Sequence, residues 1–272
     1  MSATDRGLLL CIPGPWKDRR DFVRAIITET KGEFIFTGMI LANRKENDHV
    51  SLDFTPHDPQ MHRAFEIAGQ GKVSRRVLNE ISEHRGIAYL HFPVRISDEK
   101  ERVLKFTGAL QRCGGFAVKV ESAGIAHEWQ HWHAALKSQN PLDLYRTFVV
   151  LGGNKNYYYS CGMQHFDFPD VEVERAVEMT EAADLMDGFN YLQIVENPNL
   201  APGHTFSIAT DAAQYRLTLR TDSRHATEHL YHNANGIWNL RPVESLPDLG
   251  RNYPRRNTPN EDTILSRSRR RG

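Results

Sequence analysis

The sequence of 272 residues is poor in cysteine and contains no long hydrophobic run. Its three cysteines, Cys11, Cys113 and Cys161, are widely spaced, so they predict neither a disulfide framework nor a pair of zinc-binding thiolates. No stretch approaches the roughly 18 apolar residues that a membrane helix needs. The first apolar run, from Leu8 to Ile12, is too short for the core of a signal peptide. We therefore expect a soluble cytoplasmic protein with no membrane segment.

The sequence also lacks a net charge, because 34 Lys and Arg residues balance 34 Asp and Glu residues. The balance is uneven: residues 244–272 carry seven arginines and four acidic residues, which leaves 27 basic and 30 acidic residues in the rest of the chain. A body of this charge offers no broad surface for nucleic acid. The end of the chain is rich in Arg, Pro and Asn and predicts a disordered tail, which would bind nucleic acid weakly at most.

Two common catalytic and nucleotide-binding patterns are absent. The chain has neither the G-x-S-x-G pattern of a serine nucleophile nor the G-x-G-x-x-G pattern of a dinucleotide-binding loop. The glycine pair in GGNK, residues 152–155, lacks the spacing of a phosphate-binding loop and predicts a hairpin turn instead.

The spacing of apolar residues predicts an α+β fold with mixed sheets covered by helices. Residues 1–140 read as a first α+β unit whose helices cover one face of a sheet, and EFIFTGMILA (33–42) reads as one strand. Residues 141–243 read as a second α+β unit, in which VERAVEMTEAADLMDGF (173–189) is expected to be one helix. Residues 244–272 form the predicted tail.

The segment HEWQH matches the zinc-peptidase pattern H-E-x-x-H. On a helix, His127 and His131 would lie on one face and bind one Zn²⁺, and Glu128 would polarise the metal-bound water. A catalytic zinc needs a third protein ligand, and the longer pattern H-E-x-x-H-x-x-G-x-x-H fails at Ala134 and Lys137. A distant glutamate would have to complete the site, and the candidates are Glu172, Glu174, Glu178 and Glu181.

The alternative interpretation of the same segment is structural, and we favour it. Trp129 and Trp132 make the segment aromatic, which is typical of a helix docked through its tryptophans with its histidines at the surface. A histidine-rich chain also produces the pattern by chance.

Glu121 and His127 are a second pair of candidate catalytic residues. They lie where a predicted strand ends and a helix begins, a position at which binding sites often form. Glu121 could orient His127 as a general base. The alternative is that Glu121 and Ser122 only cap the following helix.

Cys161 and His165 raise the possibility of a cysteine nucleophile. On one strand, however, residues four apart lie about 13 Å from each other, which is too far for a hydrogen bond. Cysteine is also among the most often buried residue types, so we favour a structural role.

Aromatic residues supply the candidate binding surface. The run Tyr157 to Tyr159 predicts a strand with one aromatic face inward and one exposed, and the exposed tyrosines could contact a partner. Tyr157, Tyr159 and Trp129 are therefore the candidate binding residues.

Four stretches, CIPGPW, HDPQMHRAFEIAGQG, VKVESAGIAH and YYSCGMQHFDFPDVEV, resemble a bacterial domain-of-unknown-function family, number forty-two sixty-one of that series. The resemblance covers most of residues 7–243. It implies a soluble bacterial α+β protein without an established activity and without catalytic residues to transfer. Its pattern centres on GIAH and SCGM rather than on a metal motif. Proteins of this sort often occur as accessory or immunity-type proteins near bacterial secretion and toxin loci.

Taken together, these features favour a non-enzymatic protein that binds another protein, as an accessory or immunity-type module without a cofactor. The alternative is a hydrolase. It would use Zn²⁺ held by His127 and His131 with Glu128 as a peptidase base, or it would use Glu121 and His127 without a metal.

Overall fold

The computed structural model describes residues 7–93 and 95–243 and the backbone of residues 263–265. The described residues form two sheets with packed helices, which confirms the α+β class. The rest of the predicted disordered tail, residues 244–262 and 266–272, lies outside the described residues. Among the helices of residues 7–93 and 95–243, none is long and apolar enough to cross a membrane.

The chain divides into two compact units at the junction of Val150 and Leu151, and the short segment Thr227–Tyr231 belongs to the first unit. The sequence placed this junction at residue 140. Helix α6 (Pro141–Phe148), which follows that residue, packs against the helix before it and is therefore part of the first unit.

Seven strands form the sheet of the first unit: β1 (Leu8–Gly14), β2 (Phe34–Phe36), β3 (Ile40–Asn43), β4 (Asp48–Pro56), β5 (Gly86–Phe92), β6 (Val118–Val120) and β7 (Ile125–His127). Their order is β2-β3-β4-β5-β1-β6-β7. β1 and β5 pair along their whole lengths at the centre, from Leu8 opposite Phe92 to Gly14 opposite Gly86. All the described pairs are antiparallel, so this sheet is not mixed.

Helices cover both faces of this sheet: α1 (Arg19–Glu29), α2 (Met61–Gly69), α3 (Arg75–Ser82), α4 (Ile96–Arg112), α5 (Trp129–Lys137) and α6. On one face, Phe106 of α4 contacts Phe92 edge to face. On the other face, α2 and α3 pack on Cys11 and Ile87. The prediction that helices cover only one face is wrong, because Leu10 and Cys11, which point to opposite faces of β1, are both fully buried.

The stretch predicted as one strand over residues 33–42 is two strands, β2 and β3. The chain reverses at Gly38, whose φ of 103° is in the region that favours glycine. The Thr37 N–H donates to the Ile40 carbonyl across this turn, at 3.0 Å. Because apolar residues continue on both sides of the turn, the spacing of apolar residues does not reveal where the strand ends.

The second sheet is mixed, and its strands are β8 (Val150–Gly153), β9 (Tyr157–Cys161), β10 (Asp170–Glu174), β11 (Thr205–Ser207), β12 (Tyr215–Arg220), β13 (Ile237–Pro242) and β14 (Thr263–Leu265). Their order is β14-β11-β12-β13-β10-β9-β8. The pairs β10–β13 and β11–β14 are parallel, and the pairs β9–β10, β11–β12 and β12–β13 are antiparallel. β14 lies within the segment predicted to be a disordered tail.

A single long helix, α7 (Met179–Glu196), covers one face of the second sheet. Phe189 of α7 packs with Val171, Val173 and Trp238 in the core. The helix predicted over residues 173–189 begins too early. The Glu178 carboxylate accepts the N–H groups of the next helical residues and caps α7, and the alternation of Val and Glu before it forms β10.

We expect Phe106→Ala to lower the free energy of unfolding by about 3–5 kcal/mol, because it opens a cavity where Phe106 contacts Phe34 and Phe92. The measurement is urea unfolding followed by circular dichroism. Ile67→Ala on α2 is the control, since Ile67 is 65% exposed and its loss should cost less than about 0.5 kcal/mol. Equal losses in the two variants would contradict the described core.

Candidate functional site

The HEWQH segment does not form one continuous helix. His127 is the last residue of β7 and lies opposite Val118 in the sheet, and α5 begins only at Trp129. Glu128 occupies the N-cap position between the two elements in an extended conformation. The prediction that His127 and His131 share one helical face is therefore wrong, because strand pairing with β6 takes His127 out of the helix.

His127 is held as a neutral imidazole. Its Nε2–H donates to the Thr147 carbonyl at 2.9 Å, which occupies that nitrogen. The pKa of His127 is lowered to about 4, mainly by burial and in smaller part by the nearby Lys72 and His131, although the bond to Thr147 opposes the shift. At neutral pH the ring therefore carries no charge.

Glu128 and His131 have different surroundings. The Glu128 Oε1 accepts the Ser74 N–H at 2.7 Å, and this bond is the main reason why the pKa of Glu128 lies below its usual value. His131 is exposed on α5. Across residues 7–93 and 95–243, no group of three or more His, Cys, Asp or Glu side chains is placed to hold a metal ion.

The glutamates considered as a third zinc ligand all have other contacts in the second unit. Glu178 caps α7, and Glu181 accepts a hydrogen bond from the Tyr215 hydroxyl at 2.7 Å. Glu172 is fully buried and bonded to Arg220, and the contacts of Glu174 are described with the second sheet below.

The two tryptophans of the segment are packed, as the structural interpretation predicted. Of the two histidines that this interpretation placed at the helix surface, only His131 is exposed there, because His127 lies on β7 and is half-buried. Trp132 is fully buried, and its indole N–H donates to the Thr107 hydroxyl at 2.9 Å. Trp129 is half-buried, donates to the Gly115 carbonyl at 2.6 Å and stacks on His133. The indole N–H of Trp129 is therefore already bonded within the first unit, which favours a structural role for this residue.

Glu121 and His127 take different partners. Glu121 accepts a hydrogen bond from the Lys119 ammonium at 2.6 Å, and His127 donates to Thr147. Glu121 also lies near Cys11, and it adds to the burial that raises the pKa of that thiol. The described contacts include no Glu121–His127 hydrogen bond, so the catalytic pair suggested by the sequence is not assembled.

Cys161 and His165 do not lie on one strand, because the chain turns at Gly162 into the short 3₁₀ helix Met163–Phe166. The distance expected for a strand therefore does not apply. Both side chains are buried. Burial raises the pKa of Cys161 and lowers the pKa of His165 to about 4, so the thiol stays protonated and the imidazole stays neutral.

A cleft of about 550 Å³ lies beside the HEWQH segment in the first unit. The connection between α2 and α3, the junction of β7 with α5, and α6 all contribute to its walls. Its charged and titratable lining consists of Lys72, His127, Glu128, His131, Lys137, Asp143 and Arg146.

The tyrosines of β9 divide between the two faces of the second sheet, as predicted for a strand. Tyr158 packs against the core under α7, whereas Tyr157 and Tyr159 lie on the opposite face. The Arg220 guanidinium lies over the Tyr157 ring at 5.2 Å, and the Arg224 guanidinium lies over the Tyr159 ring at 4.9 Å. We call the set Tyr157, Tyr159, Arg216, Arg220, Arg224 and Arg241 the tyrosine–arginine face.

Two buried carboxylates of β10, Asp170 and Glu172, hold Arg224 and Arg220 in place. Glu172 accepts hydrogen bonds from Arg220 and from the Asn239 amide, the latter at 2.7 Å. Asp170 accepts from Arg224 at 3.3 Å and from the Asn233 amide at 3.1 Å. Burial raises the pKa of Asp170 to about 6, and the charge of Arg224 opposes that shift.

Arg224 is fixed from several sides. Asp222, which is also buried, accepts both the backbone N–H and the Nε–H of Arg224. A second nitrogen of the guanidinium donates to the Ser160 carbonyl at 3.1 Å. The cation above Tyr159 therefore has one defined position.

The outer part of the tyrosine–arginine face carries exposed positive charge. Arg216 of β12 is exposed and lies directly opposite Arg241 of β13. Like charges in this position destabilise a sheet. Arg241, with a side chain 62% exposed, contacts Glu174 at 3.6 Å, and this contact offsets part of the repulsion.

Sequence reasoning found the tyrosines of this face but missed its arginines and carboxylates. The alternation of Arg216, Thr218 and Arg220 with apolar residues does indicate that they share one face of β12. It does not indicate that this face meets Glu172, because β10 is 48 residues away from Arg220 in sequence.

Comparisons with family models, with curated proteins and with solved structures find no match for this chain. The resemblance to the bacterial family of unknown function stays a prediction that rests on its four sequence stretches.

We expect purified, untagged protein dialysed without chelator to contain far less than one zinc ion per chain. His127 lies on a strand with its Nε2 occupied, so the two histidines lack the helical geometry of the zinc motif. The measurement is metal content by mass spectrometry. About one zinc per chain, lost in His131→Ala, would contradict this expectation.

We expect the protein to lose stability as the pH falls from about 6.5 towards about 4, in part through His127. Its folded pKa is about 4 against an ordinary 6.5, so the unfolded chain binds the proton first and acid favours unfolding. Between about pH 7 and pH 5 this residue should account for about 2 kcal/mol.

The variant for this test is His127→Gln, which keeps an N–H donor for Thr147 but does not titrate. Denaturant unfolding at several pH values should show a weaker acid dependence in this variant than in the wild type. Buried His165 titrates in both proteins and cancels from the comparison. Identical pH profiles would show that His127 is not buried as described.

Proposed function

We propose that this protein is a non-enzymatic binding module that holds a protein partner through the tyrosine–arginine face. The observation that carries the proposal is the placement of two arginines over two tyrosines, with buried carboxylates beneath them. Tyrosine and arginine are the residue types most often responsible for the binding energy of protein interfaces.

The fixed geometry of this face supports a binding role. A side chain that is already held in place loses little conformational entropy when a partner binds. Arg224 bonds to Asp170, Asp222 and the Ser160 carbonyl, and Arg220 bonds to Glu172. A partner would therefore meet the Tyr157 ring and the Arg220 guanidinium in positions fixed in advance. Arg224, whose side chain is only 9% exposed, lies against the Tyr159 ring and holds it in place.

The charge of the face specifies the chemistry of the partner. Arg216 and Arg241 stand opposite each other in neighbouring strands, and Glu174 is the exposed acid beside them. Carboxylates from a partner would relieve the repulsion between the arginines and accept paired hydrogen bonds from them. We infer that the partner presents Asp and Glu side chains at its contact surface.

The hydrolase alternative has less support. It requires either a zinc site that includes His127 or a catalytic pair of Glu121 and His127. In the structure, His127 Nε2 bonds to the Thr147 carbonyl, and Glu121 bonds to Lys119 instead of to His127. The bacterial origin, the cytoplasmic location and the accessory or immunity-type role rest on the sequence alone and stay predictions.

Arg216→Gln tests the proposal, because Arg216 is exposed and forms no ion pair with the buried carboxylates, which bond to Arg220 and Arg224 instead. We expect the substitution to leave the melting temperature unchanged or slightly higher, since it removes the repulsion with Arg241. It should weaken partner binding by about tenfold or more, as expected for the loss of a charge-assisted hydrogen bond. The partner is first isolated with the wild-type protein from its native host, and the dissociation constant is measured by calorimetry.

Two further variants make the test specific. Tyr157→Ala should also weaken binding, whereas Lys155→Gln, which removes an exposed charge outside the face, should not. Binding by the wild type should weaken as salt rises, because the arginines meet a charged partner. The proposal fails if no stoichiometric partner is recovered, or if Arg216→Gln and Tyr157→Ala bind as tightly as the wild type.

A further inference from the structure

The cleft beside the HEWQH segment contains cations that have no described partner. Lys72, Lys137 and Arg146 line it, and their side chains make no hydrogen bond or ion pair with any residue in the described part of the chain. The cations of the cleft are therefore available to a ligand.

The two carboxylates of the cleft already have donors. Glu128 accepts the Ser74 N–H at 2.7 Å, and Asp143 accepts the Ser138 hydroxyl at 2.6 Å. Three cations, Lys72, Lys137 and Arg146, outnumber these two carboxylates along the walls. Because each carboxylate is directed towards a donor of the protein, the two carboxylates compete only in part with an anionic ligand for the cations of the cleft.

The charges of the cleft lysines act on two neighbouring histidines, although burial is the main cause of both pKa shifts. Lys72 adds to the burial that lowers the pKa of His127, and Lys137 does the same for His133. His131, which lies between the two lysines in the sequence, also lowers the pKa of His127. A concave surface concentrates the potential of such charges, since its low-dielectric walls exclude solvent from part of the field.

The dimensions of the cleft suit a small molecule. Its volume of about 550 Å³ lies within the range of roughly 300–1,000 Å³ that is usual for ligand sites. The lining also includes the small residues Ala126, Ala134 and Ala135, which provide an apolar wall beside the charged groups. A ligand with one anionic group beside a small apolar group would match the cations and the apolar wall of this cleft.

We propose that this cleft binds a small molecule bearing a phosphate or carboxylate group, with Lys72, Lys137 and Arg146 as the residues that contact the anion. Arg146 presents a planar guanidinium that forms paired hydrogen bonds with oxyanions, and the lysines act as point charges. His127 lines the wall as a neutral imidazole. The site is in the first unit and is independent of the proposed protein-binding face in the second.

Calorimetric titration of the full chain at low salt tests this site with two probes, inorganic pyrophosphate and citrate. We expect saturable binding of at least one probe, weakened by added salt. Preference for pyrophosphate identifies a phosphoryl ligand, and preference for citrate identifies a carboxylate ligand. The double variant Lys72→Gln/Arg146→Gln should weaken binding by about tenfold or more.

Lys17→Gln is the matched control, because Lys17 is an exposed cation of the same unit that does not line the cleft. It should bind the probes as the wild type does. Lys137→Gln alone should give an intermediate loss, and all variants should keep the wild-type melting temperature because the replaced side chains are exposed. The proposal is overturned if neither probe binds saturably, or if the double variant binds like the wild type.

Discussion

The second unit depends on two carboxylates that β10 buries on the face opposite α7. Strand alternation places Val171 and Val173 in the core and directs Asp170 and Glu172 to the other side. A buried carboxylate is costly unless donors surround it, so the neighbouring strands and loops must deliver arginine and amide groups to this position. The arginines that do so lie over Tyr157 and Tyr159. Compensation of buried charge therefore creates the surface that we propose for partner binding.

The first unit shows the complementary situation. Polar groups of the HEWQH segment find partners within the unit: His127 on the Thr147 carbonyl, Glu128 on the Ser74 N–H, and Trp132 on the Thr107 hydroxyl. Groups that are satisfied in this way stabilise the fold and are poorly placed for chemistry. The cations of the adjacent cleft lack such partners, and for that reason we assign them a ligand. The catalytic pattern in the sequence thus lies beside the cleft that we propose as a ligand site, but its two histidines do not share one helix.

Elements with a long regular period were predictable. The stripe of Val103, Phe106 and Leu110 defines α4, and the alternation in β12 defines that strand. Shorter elements were not, because three or four residues carry too little periodicity to separate a strand from the first turn of a helix. His127 illustrates the problem, since Ile125–His127 becomes a strand only through its pairing with β6. β10 (Asp170–Glu174) was missed as well, because Val173 and Glu174 were assigned to the start of the helix predicted over residues 173–189 and the residues before them were not assigned to any element.

Local sequence pattern was enough to predict the α+β class, the packing of the two tryptophans of α5 and the division of the β9 tyrosines between two faces. These features follow from local spacing and from the residue types that avoid water. The charged groups that meet could be identified only in the folded chain, because Asp170 and Arg224 are 54 residues apart in sequence and Glu172 and Arg220 are 48 residues apart. The energy of a charged pair depends on distance and burial in space, and sequence spacing determines neither across separate strands.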